Sequence, residues 1–182
     1  MQENKREKAV FGGGCFWCTE AIFKNLKGVE KVLPGYMGGF LPNPTYEEVS
    51  RSNTGHAEVI YIEYNPGEIS YEKLLEVFFA THDPTQLHRQ GNDIGSQYRS
   101  AVFWNTPEQL HQAVNYILQL EQTGIYDKPI VTSLERMTTF YPAEDFHQNY
   151  LERNPDNPYC RAVILPKVKK FESRFENLLK KN

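Results

Sequence analysis

The side chains best suited to chemistry in this chain are its three cysteines, Cys15, Cys18 and Cys160. Cys15 follows Gly12, Gly13 and Gly14 and precedes Phe16, Trp17 and Cys18. Ahead of the glycines, Ala9, Val10 and Phe11 form a short apolar run suited to a buried strand. Behind them, Phe16, Trp17, Ala21, Ile22, Phe23 and Leu26 recur at helical spacing, and Gly28 stops the segment. Cys15 is therefore expected at a strand-to-helix corner, at or near the helix N-terminus. Unpaired N–H groups and the helix dipole favour an anion there, and a thiol pKa falls from about 8.5 to about 7 or below in such places. On that reading Cys15 is a nucleophile. The competing reading makes it a small buried hydrophobe. Three glycines, poor core material, and Cys18 on the same helical face favour the reactive thiol.

Cys15-x-x-Cys18 suits thiol exchange. Cys160 ends the turn-rich loop Asn154–Cys160, from which it either swings toward Cys15 or packs beside Arg161-Ala-Val-Ile. A zinc site built from the cysteines and one of His56, His82, His88, His111 and His147 is disfavoured, because a second close-spaced ligand pair is missing. Glu58 lies in a run of strand formers, His56–Tyr64, whose alternation puts Glu58, Ile60 and Ile62 on one face. A carboxyl desolvated there would keep its proton near neutral pH; one at the strand start would instead reach water. Tyr46 and Tyr98 sit in or beside glycine-bearing loops and offer phenol donors, although most loop tyrosines only pack. Asp93, in Gly91–Gly95, reads by itself as a turn former.

The elements that must hold these residues follow from local signals. Val29 to Gly39 begins as a strand, with Pro34 and Gly35 suggesting a bulge or a sheet edge. Thr45-Tyr-Glu-Glu48 matches a capping box, so a short helix begins at Tyr46. Ser70 caps a helix over about 71–81, and a long polar loop runs from His82 to Tyr98. A strand over 99–104 leads to Thr106-Pro-Glu-Gln109, the start of a helix to about Thr123 with Leu110, Val114, Ile117 and Leu118 inward. A strand at 130–134, a helix over 143–153 and an amphipathic helix over 167–180, with Val168, Phe171, Phe175 and Leu178 on one face, complete the chain. The order predicts an α+β fold with a ferredoxin-like βαββαβ core, a mixed sheet, extra helices and long functional loops.

Length and composition bound the rest. The 182 residues are 40% hydrophobic and 24% charged, which fits one globular domain, residues 1–182. Residues 1–7 are expected to be flexible, and 154–182 to form a C-terminal loop and helix carrying Cys160. A net charge of −3 argues against nucleic acid as a partner. No apolar run follows the polar start or is long enough to span a bilayer, so no secretory signal, no membrane partner and a cytoplasmic location are expected. Three unevenly placed cysteines fit redox or catalytic thiols better than a disulfide scaffold.

Taken together, Gly14-Cys-Phe-Trp17, Gly35-Tyr-Met-Gly-Gly39, Pro44-Thr-Tyr46, Gly55-His-Ala-Glu58, His82-Asp-Pro84, Arg89-Gln-Gly-Asn-Asp93, Gln97-Tyr-Arg-Ser100, Phe140–Gln148 and Asn154-Pro155 resemble the A-type peptide-methionine sulfoxide reductases, in order, over roughly residues 8–160. The resemblance implies reduction of methionine (S)-sulfoxide, free or in proteins. It implies Cys15 as nucleophile, Glu58 as the acid that protonates the sulfoxide oxygen, Tyr46 and Tyr98 as phenols bonded to that oxygen, and Asp93 as a polar site residue. Phe16 and Trp17 match the pocket for the substrate methyl. It also implies thioredoxin, or another dithiol, as reductant; no cofactor or metal is implied, and a monomer is expected. Many members have Gly in place of Cys18 and carry a second C-terminal cysteine, whereas no cysteine follows Cys160 here. Cys160 and Cys18 therefore both stand as candidates to resolve a Cys15 sulfenic acid. A thioredoxin-like disulfide exchanger using only Cys15 and Cys18 is the rival function.

Overall fold

The computed structural model describes residues 5–181. β1 (Glu7–Gly13) leads through Cys15 into α1 (Phe16–Phe23), and β2 (Val29–Met37) follows. α2 (Tyr46–Ser50), β3 (Ala57–Tyr64) and α3 (Tyr71–Ala80) come next, then a hairpin of β4 (Arg89–Gln90) and β5 (Asp93–Ile94). β6 (Ser100–Trp104), α4 (Pro107–Thr123), β7 (Ser133–Arg136), β8 (Tyr141–Pro142), α5 (Tyr150–Arg153) and α6 (Leu165–Arg174) complete the described chain. The main sheet runs β7-β6-β1-β3-β2-β8. Its centre, β6-β1-β3-β2, is antiparallel and has the ferredoxin-like strand order, while β7 joins β6 in parallel. The fold is thus α+β with a mixed sheet.

Strand alternation builds the core on both faces. Phe11, Ile60, Ile62 and Val102 face the helices, whereas Val10, Val59, Ala101 and Phe103 form a smaller cluster on the other side. Phe11 stacks on Phe78 of α3 with ring centroids 4.8 Å apart. Burying a side chain of this size stabilises the fold by roughly 1.5–3 kcal/mol. Glu58 shares the helix-facing side with Ile60 and Ile62, the side on which Cys15 starts α1.

Local signals placed several elements well. Thr45 and Glu48 form a reciprocal capping box on α2, and Ser70 and Thr106 accept hydrogen bonds from Lys73 N–H and Gln109 N–H. Gly124 ends α4 with φ of 68°.

Other expectations need correction. Residues 1–4 lie outside the described part, but Glu7 already pairs with Tyr64 rather than being loose. β2 continues through Pro34 and Gly35, and its irregularity falls between Val29 and Lys31. Pro34 has no N–H to give, yet its carbonyl accepts from Ala143 N–H. α4 turns Gln109, Ala113, Ile117 and Leu120 inward and leaves Val114 and Leu118 exposed. Gln109 fixes that rotation: its amide donates to Lys8 O and accepts from Asn105 N–H.

The strand expected at 130–134 is shifted to Ser133–Arg136. No continuous helix spans 143–153. Asn149 there adopts φ 54°, and its N–H is taken by the buried Glu20 carboxylate at 3.0 Å. α6 stops at Arg174, and a short 3₁₀ turn, Glu176–Leu178, follows. Cys160 is not in a loose loop; it opens a π-turn, Cys160–Ile164, that runs into α6 and buries it completely.

Candidate active site

Gly14 makes the corner that presents Cys15. It holds φ of 89°, and a Cβ there would lie 2.8 Å from Gln90 side-chain carbons. Only glycine satisfies both demands without strain. Cys15 caps α1 and is 8% exposed.

Glu58 reaches the same corner from β3. Its Oε1 accepts the Phe16 N–H, the first amide of α1, at 3.2 Å. Its Oε2 is buried without a hydrogen-bond partner among the described residues. The carboxyl is 1% exposed. Burial pushes its pKa up to about 8, against the opposing pull of the Phe16 amide and with smaller help from the Asp93 and Cys18 charges. At neutral pH Glu58 is therefore a neutral acid, and the proton belongs on Oε2 because Oε1 is already an acceptor. The two readings of Glu58 left open by alternation resolve toward the desolvated one.

Burial likewise raises the phenols of Tyr46 and Tyr98, and the negative field of Glu58 adds to both. Both remain donors at any physiological pH. Asp93, on the β4–β5 hairpin, contributes to the field at both tyrosines and at Glu58. Phe16 is fully buried and packs between Tyr36, Tyr46 and His147, with centroids 5.7, 6.3 and 5.3 Å away. Trp17 lies flat on Tyr150 at 3.7 Å and contacts Tyr46 and Tyr159 at 6.3 and 5.9 Å. Cys15, Glu58, Tyr46, Tyr98, Asp93, Phe16 and Trp17 are thus gathered around one corner.

The thiols correct one expectation. Cys15 is not a low-pKa thiolate: burial raises it well above the ordinary thiol range, a hydrogen bond with Cys18 and the Glu58 charge add to this, and the Trp17 backbone N–H pulls the other way. The helix-mouth argument identified that last effect and missed the larger desolvation. Cys18 is lowered, first by the hydrogen bond from Cys15, with Lys167 and Tyr159 assisting against its own burial. Cys160 is raised by burial and then by Cys18. All three are free thiols.

Several residues of the site carried no local signal. Tyr36 stands opposite Glu58 in the β2–β3 register and donates from its phenol to Glu144 at 3.3 Å. Glu144 also accepts the Tyr46 N–H at 3.3 Å and so ties α2 to the site. His147 is fully buried; its Nδ1 accepts from Trp17 Nε1 at 3.0 Å, which leaves the proton on Nε2. Tyr159 donates to Asp93 at 2.7 Å, joining the segment before Cys160 to the hairpin. Tyr36, Glu144 and His147 lie inside the blocks that carry the resemblance and Tyr159 precedes Cys160, but nothing in their own spacing gave them a role. Among the described residues, no group of three or more His, Cys, Asp or Glu is placed to hold a metal ion, and no helix is long and apolar enough to cross a membrane.

Known proteins resemble this one throughout. The family model for peptide methionine sulfoxide reductase matches residues 7–179. The peptide methionine sulfoxide reductase MsrA of Deinococcus radiodurans is 53% identical over 175 residues, covering 96% of this chain and 85% of that protein. In structure, the chain is similar to Mxr1 from Saccharomyces cerevisiae in its reduced form, with a TM-score of 0.78 and 34% identity over 86% of this chain and 90% of that one. It is also similar to Mxr1 in complex with Trx2, with a TM-score of 0.56 and 25% identity over 80% and 85% of the two chains.

Proposed function

The chain belongs to the peptide methionine sulfoxide reductase family and is an oxidoreductase; from that premise we propose that it reduces methionine (S)-sulfoxide, free or in proteins, to methionine. The observation that carries this reading is the buried, proton-bearing Glu58, hydrogen-bonded to the amide next to Cys15 and left with one oxygen unpartnered. A sulfoxide oxygen leaves poorly until it is protonated, and an acid with pKa near the working pH is best suited to that transfer. Disulfide exchange between Cys15 and Cys18 alone would have no use for it.

In the proposed reaction Cys15 loses its proton as substrate enters, and its sulfur attacks the sulfoxide sulfur. Glu58 gives its proton to the oxygen, and the phenols of Tyr46 and Tyr98 stabilise charge developing on it. Phe16 and Trp17 receive the substrate methyl group, and Asp93 is a polar residue of the same site. In the adduct so formed the protonated oxygen passes to the Cys15 sulfur, its bond to the substrate sulfur and the new sulfur–sulfur bond both break, and methionine leaves with Cys15 now a sulfenic acid. A second thiol condenses with it, forming a disulfide and releasing water. Cys18 is the first candidate because it lies one helical turn from Cys15 in α1, and Cys160 receives the disulfide from Cys18. A dithiol protein of the thioredoxin kind then reduces the disulfide, as the Mxr1–Trx2 complex suggests for a relative. A monomeric, single-domain enzyme in a reducing compartment such as the cytoplasm, repairing oxidised proteins, fits this chemistry.

The test compares wild type with Glu58→Gln on methionine (S)-sulfoxide and on a small disulfide, with dithiothreitol as reductant. Sulfoxide reduction is expected to fall about 10²–10⁴-fold in the variant. Undiminished sulfoxide reduction by Glu58→Gln would reject the acid role, and wild-type turnover of the disulfide but not of the sulfoxide would favour the disulfide exchanger.

A further inference from the structure

A concavity that does not include Cys15 lies between the end of α3, the loop that follows it, residues 125–128 and α6. It has a volume of about 910 Å³, within the range of small-molecule sites. Phe171, Phe175 and Tyr126 give it an apolar floor. Lys128, Lys167, Lys170 and Arg174 line it, and none of the four is in a salt bridge among the described residues.

The two acids on the wall, Asp83 and Asp127, offset this field only in part, because Arg89 and the other four cations outnumber them. Asp83 Oδ1 accepts from the Thr85 N–H and hydroxyl at 2.9 and 2.6 Å. Arg89, also on the wall, donates to Gly91 O at 3.2 and 2.6 Å, so its charge is held at the rim. Four cations outside any salt bridge among the described residues, with the Arg174 guanidinium over the Phe175 ring, therefore come from two separate segments to line one cleft in a chain whose net charge is −3. A concave wall of one sign raises the local concentration of the opposite charge.

We propose that this cleft binds a small molecule with an apolar body and at least two anionic groups, phosphates or carboxylates, held by Lys128, Lys167, Lys170 and Arg174. The cleft adjoins the thiol machinery through its back wall. Gln90 packs against Gly14, and His82 lies behind Gly13. Lys167 acts electrostatically on both Cys18 and His82. An anion seated on Lys167 offsets the charge that helps hold the Cys18 thiol down. Occupancy then makes Cys18 less ionised and slows its attack on a Cys15 sulfenic acid. This consequence rests on the sulfoxide reductase reading; the binding does not.

The test is calorimetric titration of the reduced full-length protein at about 0.15 M salt, where exposed charges more than about 8 Å apart are largely screened. One arm uses inorganic tripolyphosphate and the other citrate, which separates phosphate from carboxylate recognition. One saturable site for at least one anion is expected, weakened at least tenfold in Lys167→Ala/Lys170→Ala and also weakened in Lys128→Ala, which lies on a different segment. The equally charge-reduced Lys8→Ala/Lys31→Ala is expected to bind as wild type does. In a parallel ultraviolet titration of the thiolate, saturating anion is expected to move the lowest thiol transition upward. Absence of saturable binding in both arms, or equal weakening by cleft and control substitutions, overturns the site. A protein that binds the anion but fails to reduce sulfoxide would reject the proposed reaction and leave the cleft standing.

Discussion

Glu58 accepts the Phe16 N–H at 3.2 Å, so the acid is anchored to the amide that follows Cys15. β3 and α1 thereby fix the proposed nucleophile and proton donor relative to each other through one hydrogen bond, and burial keeps the Glu58 carboxyl protonated up to a pH of about 8.

A pH dependence follows from this. Sulfoxide reduction by wild type is expected to decline as pH rises past about 8, where Glu58 loses its proton. The sign for stability is the same. The folded pKa lies above the ordinary carboxyl value of about 4.3, so between about pH 4.3 and 8 the folded protein holds a proton that the unfolded chain has released. Wild type should therefore lose stability relative to Glu58→Gln across that interval. Denaturant melts of both proteins at several pH values check this; parallel stability profiles would contradict it.

The thiol order is open to a single-turnover experiment. With one equivalent of methionine (S)-sulfoxide and no reductant, Cys18→Ser is expected to accumulate a sulfenic acid at Cys15, trapped by a dimedone probe. Cys160→Ser should still form one disulfide and release one methionine, yet turn over slowly with thioredoxin. Full thioredoxin-coupled turnover of Cys160→Ser would remove Cys160 from the obligatory path and leave Cys18 alone as the resolving thiol.

Gly14→Ala is expected to destabilise the fold by about 1–3 kcal/mol, since it adds a Cβ at φ of 89° and 2.8 Å from Gln90. Urea melting reports the loss. A change within about 0.5 kcal/mol would mean that the corner relaxes freely.

What the sequence made legible was local. The glycine corner before Cys15, the caps at Thr45, Ser70 and Thr106, and the face shared by Glu58, Ile60 and Ile62 all depend on neighbours a few residues away. Long-range placements were not legible. Burial is the largest cause of the raised Cys15 pKa, and no helix-terminus argument contains it. Tyr36 entered the site because β2 runs straight through Pro34 and Gly35, and those two residues argued for an interruption. The helix expected over 143–153 is broken where Glu20, more than a hundred residues earlier, captures the Asn149 N–H. Tyr159 takes its place from the 2.7 Å bond to Asp93 on the β4–β5 hairpin.

Tyr159→Phe removes that bond. A net cost of about 0.5–1.5 kcal/mol is expected for a hydrogen bond of this kind, rising toward 3 kcal/mol if the carboxylate is left without a partner. The same change frees the segment carrying Cys160, so limited proteolysis within 154–160 should quicken. An unchanged cleavage rate would show that the Asp93 contact does not restrain the segment.

The most direct test of the central claim is the stereochemistry of turnover. Purified protein is assayed with dithiothreitol on the S and R epimers of methionine sulfoxide, beside Cys15→Ser. Reduction of the S epimer alone, abolished in Cys15→Ser, is the expected result; an unreactive S epimer, or equal activity in Cys15→Ser, would contradict the assignment of Cys15 as the nucleophile of a methionine (S)-sulfoxide reductase.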